Sequence, residues 1–380
     1  MAQKGGGSMY LTKDEERLLE SDNDTIRKCM EILVAEGEAN EAERLVEVKS
    51  AHISGVSYDN IGEAGLEWLE SLDAKLKVPA TLNPAGMDVE RWREMGIDEE
   101  FHEKQMRVLR VFERLGVRMT LTCTPYYLLR PEFGDHLAWA ESSAIVYANS
   151  IIGARTERES GPSAIAAAII GKIPYYGVHI KENRAPTIFV RLKGDLAAAG
   201  YKAGRELRDQ IPYFVFDRSV TEEELKLLGA ALAATGNTVM FHAENYTPEW
   251  KDFEKPAEKI EVDDRLERAC EPDLITIGCP HASVRELETI LKLMGGRKAK
   301  KEFWVFTARD VARKAEKIVQ KLEELGVKVF SDTCMVVSPA TSKFRCIMVN
   351  SGKALYYLPN KRDVDVAFGD LRKCVETAVS

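Results

Sequence analysis

The last third of this 380-residue chain repeats one beat, a charged amphipathic helix followed by a short apolar run. Val284–Leu293 reads as a helix, Phe303–Thr307 as a strand, Ala308–Leu325 as a helix and Val327–Ser331 as a strand. Strands separated by helices cannot pair as hairpins. They pair in parallel, with the crossing helices covering the sheet faces. The fold class expected is therefore α/β, with parallel-rich sheets covered by helices.

The rest of the chain fits this class less regularly. Residues 12–48 read as two helices, with Thr12 or Asp14 as a start and Gly37 as a break. Helices are also expected over Glu63–Leu76, Asp98–Leu115, Ser163–Ile170 and Arg265–Cys270. Thr221 opens another helix, to about Ala234, and Glu224 three residues on completes a capping box. Strands are expected at Val117–Thr122, Tyr175–Ile180, Thr187–Leu192, Tyr213–Phe216, Thr238–His242 and Leu274–Gly278. The length exceeds one ordinary core. The expected division is an N-terminal α/β region over 9–225 and a C-terminal one over 226–380. Residues 1–8, Met-Ala-Gln-Lys-Gly-Gly-Gly-Ser, read as an expression leader. A net charge of −8 argues against a large nucleic-acid footprint. With neither a long apolar run nor a secretory signal, a cytoplasmic protein is expected.

Three of the seven cysteines, Cys123, Cys279 and Cys334, each follow one of the expected strands. Ligands of open α/β sheets sit in the crevice at the carboxyl ends of the strands. Thiols delivered there from distant parts of the chain are a candidate ligand set for a metal cluster. Three thiolates on a four-iron cluster would leave one iron without a protein ligand, as a catalytic metal requires. In Gly278-Cys279-Pro280-His281-Ala282-Ser283, Ser283 and Glu286 form a second capping box. Cys279 is thus expected in a strand-to-helix turn where the helix dipole favours thiolate. Cys29, Cys270, Cys346 and Cys374 read as packing residues. The odd count and the lack of any C-x-x-C argue against a disulfide framework and a zinc ribbon.

A second constellation is Gly153-Ala-Arg155-Thr156-Glu157-Arg158-Glu-Ser160-Gly-Pro162. Ser160 or Gly161 caps a helix and Pro162 suits its first turn. Two arginines just upstream of a helix N-terminus suit a carboxylate or phosphate; the competing reading is a solvated loop of compensating charges. Lys49–Tyr58 offers the Ser54 and Gly55 amides to a ligand, or is a plain connection. Among six histidines, His52 and His281 lie within these candidate loops, and none forms an H-x-x-x-H or H-E-x-x-H pattern.

His52-Ile-Ser-Gly-Val-Ser-Tyr58, Thr122-Cys-Thr-Pro-Tyr126, Asn149-Ser-Ile-Ile-Gly-Ala-Arg-Thr156, Gly278-Cys-Pro-His-Ala-Ser283 and Asp332-Thr-Cys334 together resemble the large subunit of the aconitase X family, in the form found mainly in archaea. The resemblance spans nearly all of residues 9–380. It implies an aconitase-like fold with the cluster site at the carboxyl ends of strands. It implies a 4Fe-4S iron-sulfur cluster with one open iron, held by Cys123, Cys279 and Cys334. It further implies hydro-lyase activity. Split-type members dehydrate (R)-5-phosphomevalonate to trans-anhydromevalonate 5-phosphate in an archaeal mevalonate route to isoprenoids. Relatives fused to the small domain dehydrate cis-3-hydroxy-L-proline. The substrate contacts expected are Ser54, Gly55, Arg155, Thr156, Glu157, Arg158 and His281. The chain ends soon after a terminal helix, so a separate swivelling small subunit is expected to supply the base. The competing readings are dehydration of another hydroxy acid and a non-catalytic anion-binding module.

Overall fold

In the computed structural model, which describes residues 9–266 and 270–380, three of the four sheets are entirely parallel. The largest has five strands in the spatial order Val327–Ser331, Glu302–Thr307, Leu274–Ala282, Cys346–Val349, Asp365–Phe368. From Leu274–Ala282 the chain adds two strands on one side, then crosses to add two on the other. The winding direction therefore reverses between Leu274–Ala282 and Cys346–Val349, where a doubly wound sheet opens a crevice. All nine residues of Leu274–Ala282 are buried, as expected of a central strand with helices on both faces. Apolar side chains fill both faces of this sheet, Trp304, Phe306 and Phe330 on one and Phe303, Val305 and Ile290 on the other.

A four-stranded parallel sheet runs in the order His242–Ala243, Pro212–Phe216, Ile188–Leu192, Lys259–Val262. A three-stranded parallel sheet pairs Ala80–Leu82, Ala51–Ile53 and Ala138–Trp139. The fourth is an antiparallel pair, Leu45–Glu47 with Lys172–Pro174.

Several local expectations are corrected. Val117–Thr122 forms no strand. It runs beside Ala80–Leu82, and Arg118 and Thr122 donate to Ala80 and Leu82, but the Thr120 hydroxyl replaces a ladder partner and Leu121 has φ 44°. Gly37 breaks nothing; the helix Asp24–Ala39 continues through it. Residues 175–180 hold a 3-10 turn at Gly177–His179 rather than a strand. The helix Leu196–Leu207, unexpected from the sequence, is capped by Asp195, whose carboxylate accepts from the Ala197 and Ala198 amides. The division placed after residue 225 falls inside the helix Glu222–Gly236. Cys270 and Cys346 form a disulfide, so one pair departs from the expectation of unbonded thiols; the other five are free and buried. The expected helix Arg265–Cys270 falls partly, and the leader 1–8 wholly, outside the described residues.

Candidate active site

Cys123, Cys279 and Cys334 line one cavity of about 400 Å³. Their routes to it differ. Gly278 has φ +110°, and a Cβ there would stand 2.1 Å from the Phe306 carbonyl oxygen, so only glycine lets the strand pass. The register with the Phe303 strand shifts between Ile277 and Ala282, and this bulge carries Cys279. Cys334 lies three residues past Val327–Ser331, after Asp332, whose carboxylate takes a fork of hydrogen bonds from Arg309. Cys123 comes from the N-terminal part of the chain, across the seam.

His281 joins the three loops from behind. Its backbone N–H donates to the Cys123 sulfur at 3.2 Å. Its Nε2 lies 2.8 Å from the Thr333 carbonyl oxygen, which can only accept, so Nε2 carries the proton. Nδ1 then accepts from the Thr122 hydroxyl at 2.9 Å, and the Thr122 oxygen accepts from the Thr124 amide at 3.1 Å. Burial lowers His281 to about 4, so the neutral form prevails at neutral pH. Its ring is fully buried and does not line the cavity, which corrects its expected place among the substrate contacts. On the other flank, Lys226 donates to the His281 carbonyl at 3.1 Å and pairs with Glu286, which also completes the Ser283 capping box.

The thiols titrate differently from the expectation for Cys279. It lies within the strand, and the next helix begins only at Val284. Its hydrogen bond to Cys334, then burial, push it well above the ordinary thiol range. That hydrogen bond, aided by the Val337 and Val336 amides, draws Cys334 down to about 7 against its burial. Burial, reinforced by Glu141, pushes Cys123 up to about 12.

Sequence reasoning missed the other polar groups of this end. Lys353, on the helix Gly352–Arg362 that follows the switch-point strand Cys346–Val349, forms a buried ion pair with Glu141. Asn83 donates to Glu141 at 2.9 Å and the Ser143 hydroxyl donates at 2.8 Å. Burial alone would raise Glu141; Lys353 and these hydrogen bonds outweigh it and pull it to about 2. Glu141 likewise holds Lys353 above the ordinary lysine range despite its burial. Behind Asn83 stands His52, 2.8 Å from the Thr81 hydroxyl and lowered to about 4 by burial. Glu141 caps the short helix Ser142–Tyr147, but glutamate is not among the residues favoured at that position, so no capping pattern singles it out.

Of the expected anion contacts, Ser54, Gly55 and Arg158 line the cavity. Gly161 makes room for Ser54, since a Cβ there would lie 2.8 Å from the Ser54 carbonyl oxygen. Arg155, Thr156 and Glu157 are placed elsewhere. Arg155 turns to the His179 carbonyl at 2.9 Å. Thr156 is fully buried, its backbone N–H donating to Asn149 and its hydroxyl oxygen accepting from the Trp139 amide. The Glu157 carboxylate accepts from the Val178 amide at 2.6 Å. One extended loop thus sends Arg155 and Arg158 to different surroundings.

Family models match the whole described chain: the aconitase X first domain over residues 8–182, the second over 182–271 and the third over 272–380. The chain belongs to the aconitase X family. It is 47% identical to the phosphomevalonate dehydratase large subunit of Methanosarcina mazei, over 97% of each chain. It is similar to the crystal structure of Thermococcus kodakaraensis aconitase X in its holo-form, with TM-score 0.90 and 41% identity, covering 97% of this chain and 100% of that one. The cis-3-hydroxy-L-proline dehydratase of Pseudomonas aeruginosa is more distant, 31% identical over 96% of this chain and 69% of that protein. The structural match bears out the expected α/β architecture. In family terms Cys123 comes from the first domain and Cys279 and Cys334 from the third, so the cavity lies on their seam.

The donor set also bears on which metal group fits. Among the described residues no group of three or more His, Cys, Asp or Glu side chains is placed to hold a single metal ion. Three free thiols on one cavity, Cys279 and Cys334 within hydrogen-bonding reach of each other, are the donor type that iron-sulfur groups take.

Proposed function

We propose that this chain is the large subunit of an iron-sulfur hydro-lyase that dehydrates (R)-5-phosphomevalonate to trans-anhydromevalonate 5-phosphate. The observation that carries this reading is the convergence of three free thiols and a buried Lys353–Glu141 pair on one cavity, in a chain 47% identical to a phosphomevalonate dehydratase large subunit. Cys123, Cys279 and Cys334 are the ligands of the cluster in this reading. When bound, a four-iron cluster held by three sulfurs supplies an iron without a protein ligand, a Lewis acid for a poor leaving group.

The chain's own residues do the rest. His281 ties the three thiol loops together without presenting a titrating group to the substrate. Glu141, ionised and held by the Asn83 amide and the Ser143 amide and hydroxyl, fixes the Lys353 ammonium at the reacting end of the cavity. The ammonium placed there can donate to a substrate carboxylate or to a departing oxygen, while Glu141 balances its charge. Ser54, Gly55 and Arg158 line the same cavity and are the proposed substrate contacts. Loss of water also requires removal of a proton from the carbon beside the carboxylate. That base comes from a small subunit, which the designation of the M. mazei relative as a large subunit implies.

The test is anaerobic reconstitution with the small subunit, assayed against 5-phosphomevalonate, cis-3-hydroxy-L-proline and citrate, with iron and labile sulfide measured on the same sample. Turnover of 5-phosphomevalonate by an iron-loaded pair is the expected result. Iron loading with turnover of hydroxyproline alone would replace the substrate. A pair that takes up no iron and still binds phosphate would leave an anion-binding module.

A further inference from the structure

Lys353, Tyr357 and Lys361 all line the thiol cavity and stand at i, i+4 and i+8 on one helix, Gly352–Arg362. This spacing puts them on one face. At 1.5 Å per residue, about 12 Å of helix axis separates the two lysines. Their electrostatic situations differ. Lys353 is neutralised by Glu141, with the thiols close by. Among the described residues, Lys361 donates only to the neutral amide oxygen of Asn60. Its neighbour Arg362 takes the nearby carboxylate, Asp59, at 2.8 Å. Partial burial, and Arg362 beside it, hold the Lys361 ammonium below the ordinary lysine range, against the weaker opposing pull of Cys334 and Asp59.

Arg158, on the same cavity, is in a similar state. Its Nη2 donates to the Ala233 carbonyl at 3.0 Å, and its Nε is buried with no partner among the described residues. Two cations thus meet only neutral oxygens in a cavity whose carboxylate Glu141 is already engaged. Both side chains are partly buried, so each charge is partly desolvated without a counter-ion, and an anion in the cavity would relieve this. Glu159, also on the cavity wall, does not supply one. Burial and the neighbouring Glu36 push it well above the ordinary carboxyl range, which favours its neutral acid form.

We infer that Lys361 and Arg158 form a clamp for the non-reacting anionic group of the substrate, a phosphate monoester, and that the helix Gly352–Arg362 sets the distance between that group and the reacting end. This rests on the proposed dehydratase reading and adds to it a residue, Lys361, that determines specificity. A phosphate two methylenes and an ester oxygen from the reacting carbon reaches the distal part of the cavity while its hydroxyl stays at the thiols. A hydroxyproline has no group to place there.

The test uses the cluster-loaded complex with the small subunit. Lys361→Gln keeps a hydrogen-bonding side chain and removes the charge; Lys361→Arg restores the charge. Arg205→Gln removes a cation from the neighbouring recess across Arg158, outside the cavity. Two readouts are taken, KM and kcat for 5-phosphomevalonate, and calorimetric binding of inorganic phosphate. Lys361→Gln is expected to raise KM and weaken phosphate binding by about ten- to a hundredfold, the range for a hydrogen bond to a charged group. kcat should fall far less, and Lys361→Arg should recover most of the loss. Unchanged phosphate binding in Lys361→Gln, or an equal loss in Arg205→Gln, would overturn the clamp. A wild-type complex that binds phosphate through Lys361 but does not turn over 5-phosphomevalonate would leave the clamp standing and remove the substrate assignment.

Discussion

At the end of the cavity formed by Cys123, Cys279 and Cys334, charged groups are already paired within the protein: Glu141 with Lys353, Lys226 with Glu286, Asp332 with Arg309. At the other end, among the described residues, Arg158 meets only a carbonyl oxygen and Lys361 only an amide oxygen. The first end is cross-linked by ion pairs and internally neutral, as positioning requires. The second retains unmet charge, as recognition requires. The contrast separates two tasks, holding a reacting centre and reading a distal anion, along one helix that serves both.

The largest expected effect tests the paired end directly. Cys279→Ser should abolish cluster loading and activity, read as loss of iron, labile sulfide and visible absorption, because an alkoxide is a poor substitute for a thiolate on iron. Loading at the wild-type level would remove the cysteine assignment. Next comes Glu141→Gln, which leaves the buried Lys353 ammonium without its counter-ion. Breaking a buried pair costs about 3–5 kcal/mol, so chemical denaturation should show a loss of that order. A loss below about 1 kcal/mol would mean that this end is not held by paired charge.

The third effect depends on pH. His52, wholly buried, has a pKa of about 4 in the folded chain, below the unfolded value of about 6.5. The unfolded state binds the extra proton between these values. The contribution is therefore complete above pH 6.5 and is lost as pH falls toward 4, by at most about 3 kcal/mol at 1.36 kcal/mol per pKa unit. The slope of stability against pH in this window should be shallower in His52→Gln. An identical slope would show that His52 is not held neutral. The smallest effect belongs to Cys374, a free thiol 3.4 Å from the Gly369 carbonyl on the terminal helix. Cys374→Ser should cost about 1 kcal/mol and leave iron content unchanged. Loss of iron there would break the distinction between the thiols of the cavity and those of the core.

How far the sequence alone reveals this arrangement depends on how local each signal is. The capping boxes at Thr221 and Ser283 are read within four residues, and both stand where expected. The helix–strand alternation of residues 274–331 specifies a parallel sheet because each element carries its own periodicity. The segment before Cys123 has the same apolar character as the true strands, but the Thr120 hydroxyl and the positive φ of Leu121 end its pairing, and neither is visible as a pattern. Arg155 and Arg158 are alike in sequence; only the path of the loop sends one to His179 and the other to the cavity. Lys353 and Lys361 look like ordinary surface lysines on a helix. What marks them is that a strand at the switch point feeds that helix, a fact of sheet order rather than of spacing. Glu141 was obscured similarly, since its partner Lys353 lies more than two hundred residues away.

The position of the thiols on the seam has a mechanical consequence. A group bonded to all three sulfurs is also a cross-link, joining residue 123 of the first domain to residues 279 and 334 of the third. Its binding free energy is then shared with the contact between domains. Oxidative damage to such a group would cost the enzyme more than its reactivity, because it would cut a rivet between two lobes. Chemical injury at the centre would be felt as loosening of the whole molecule.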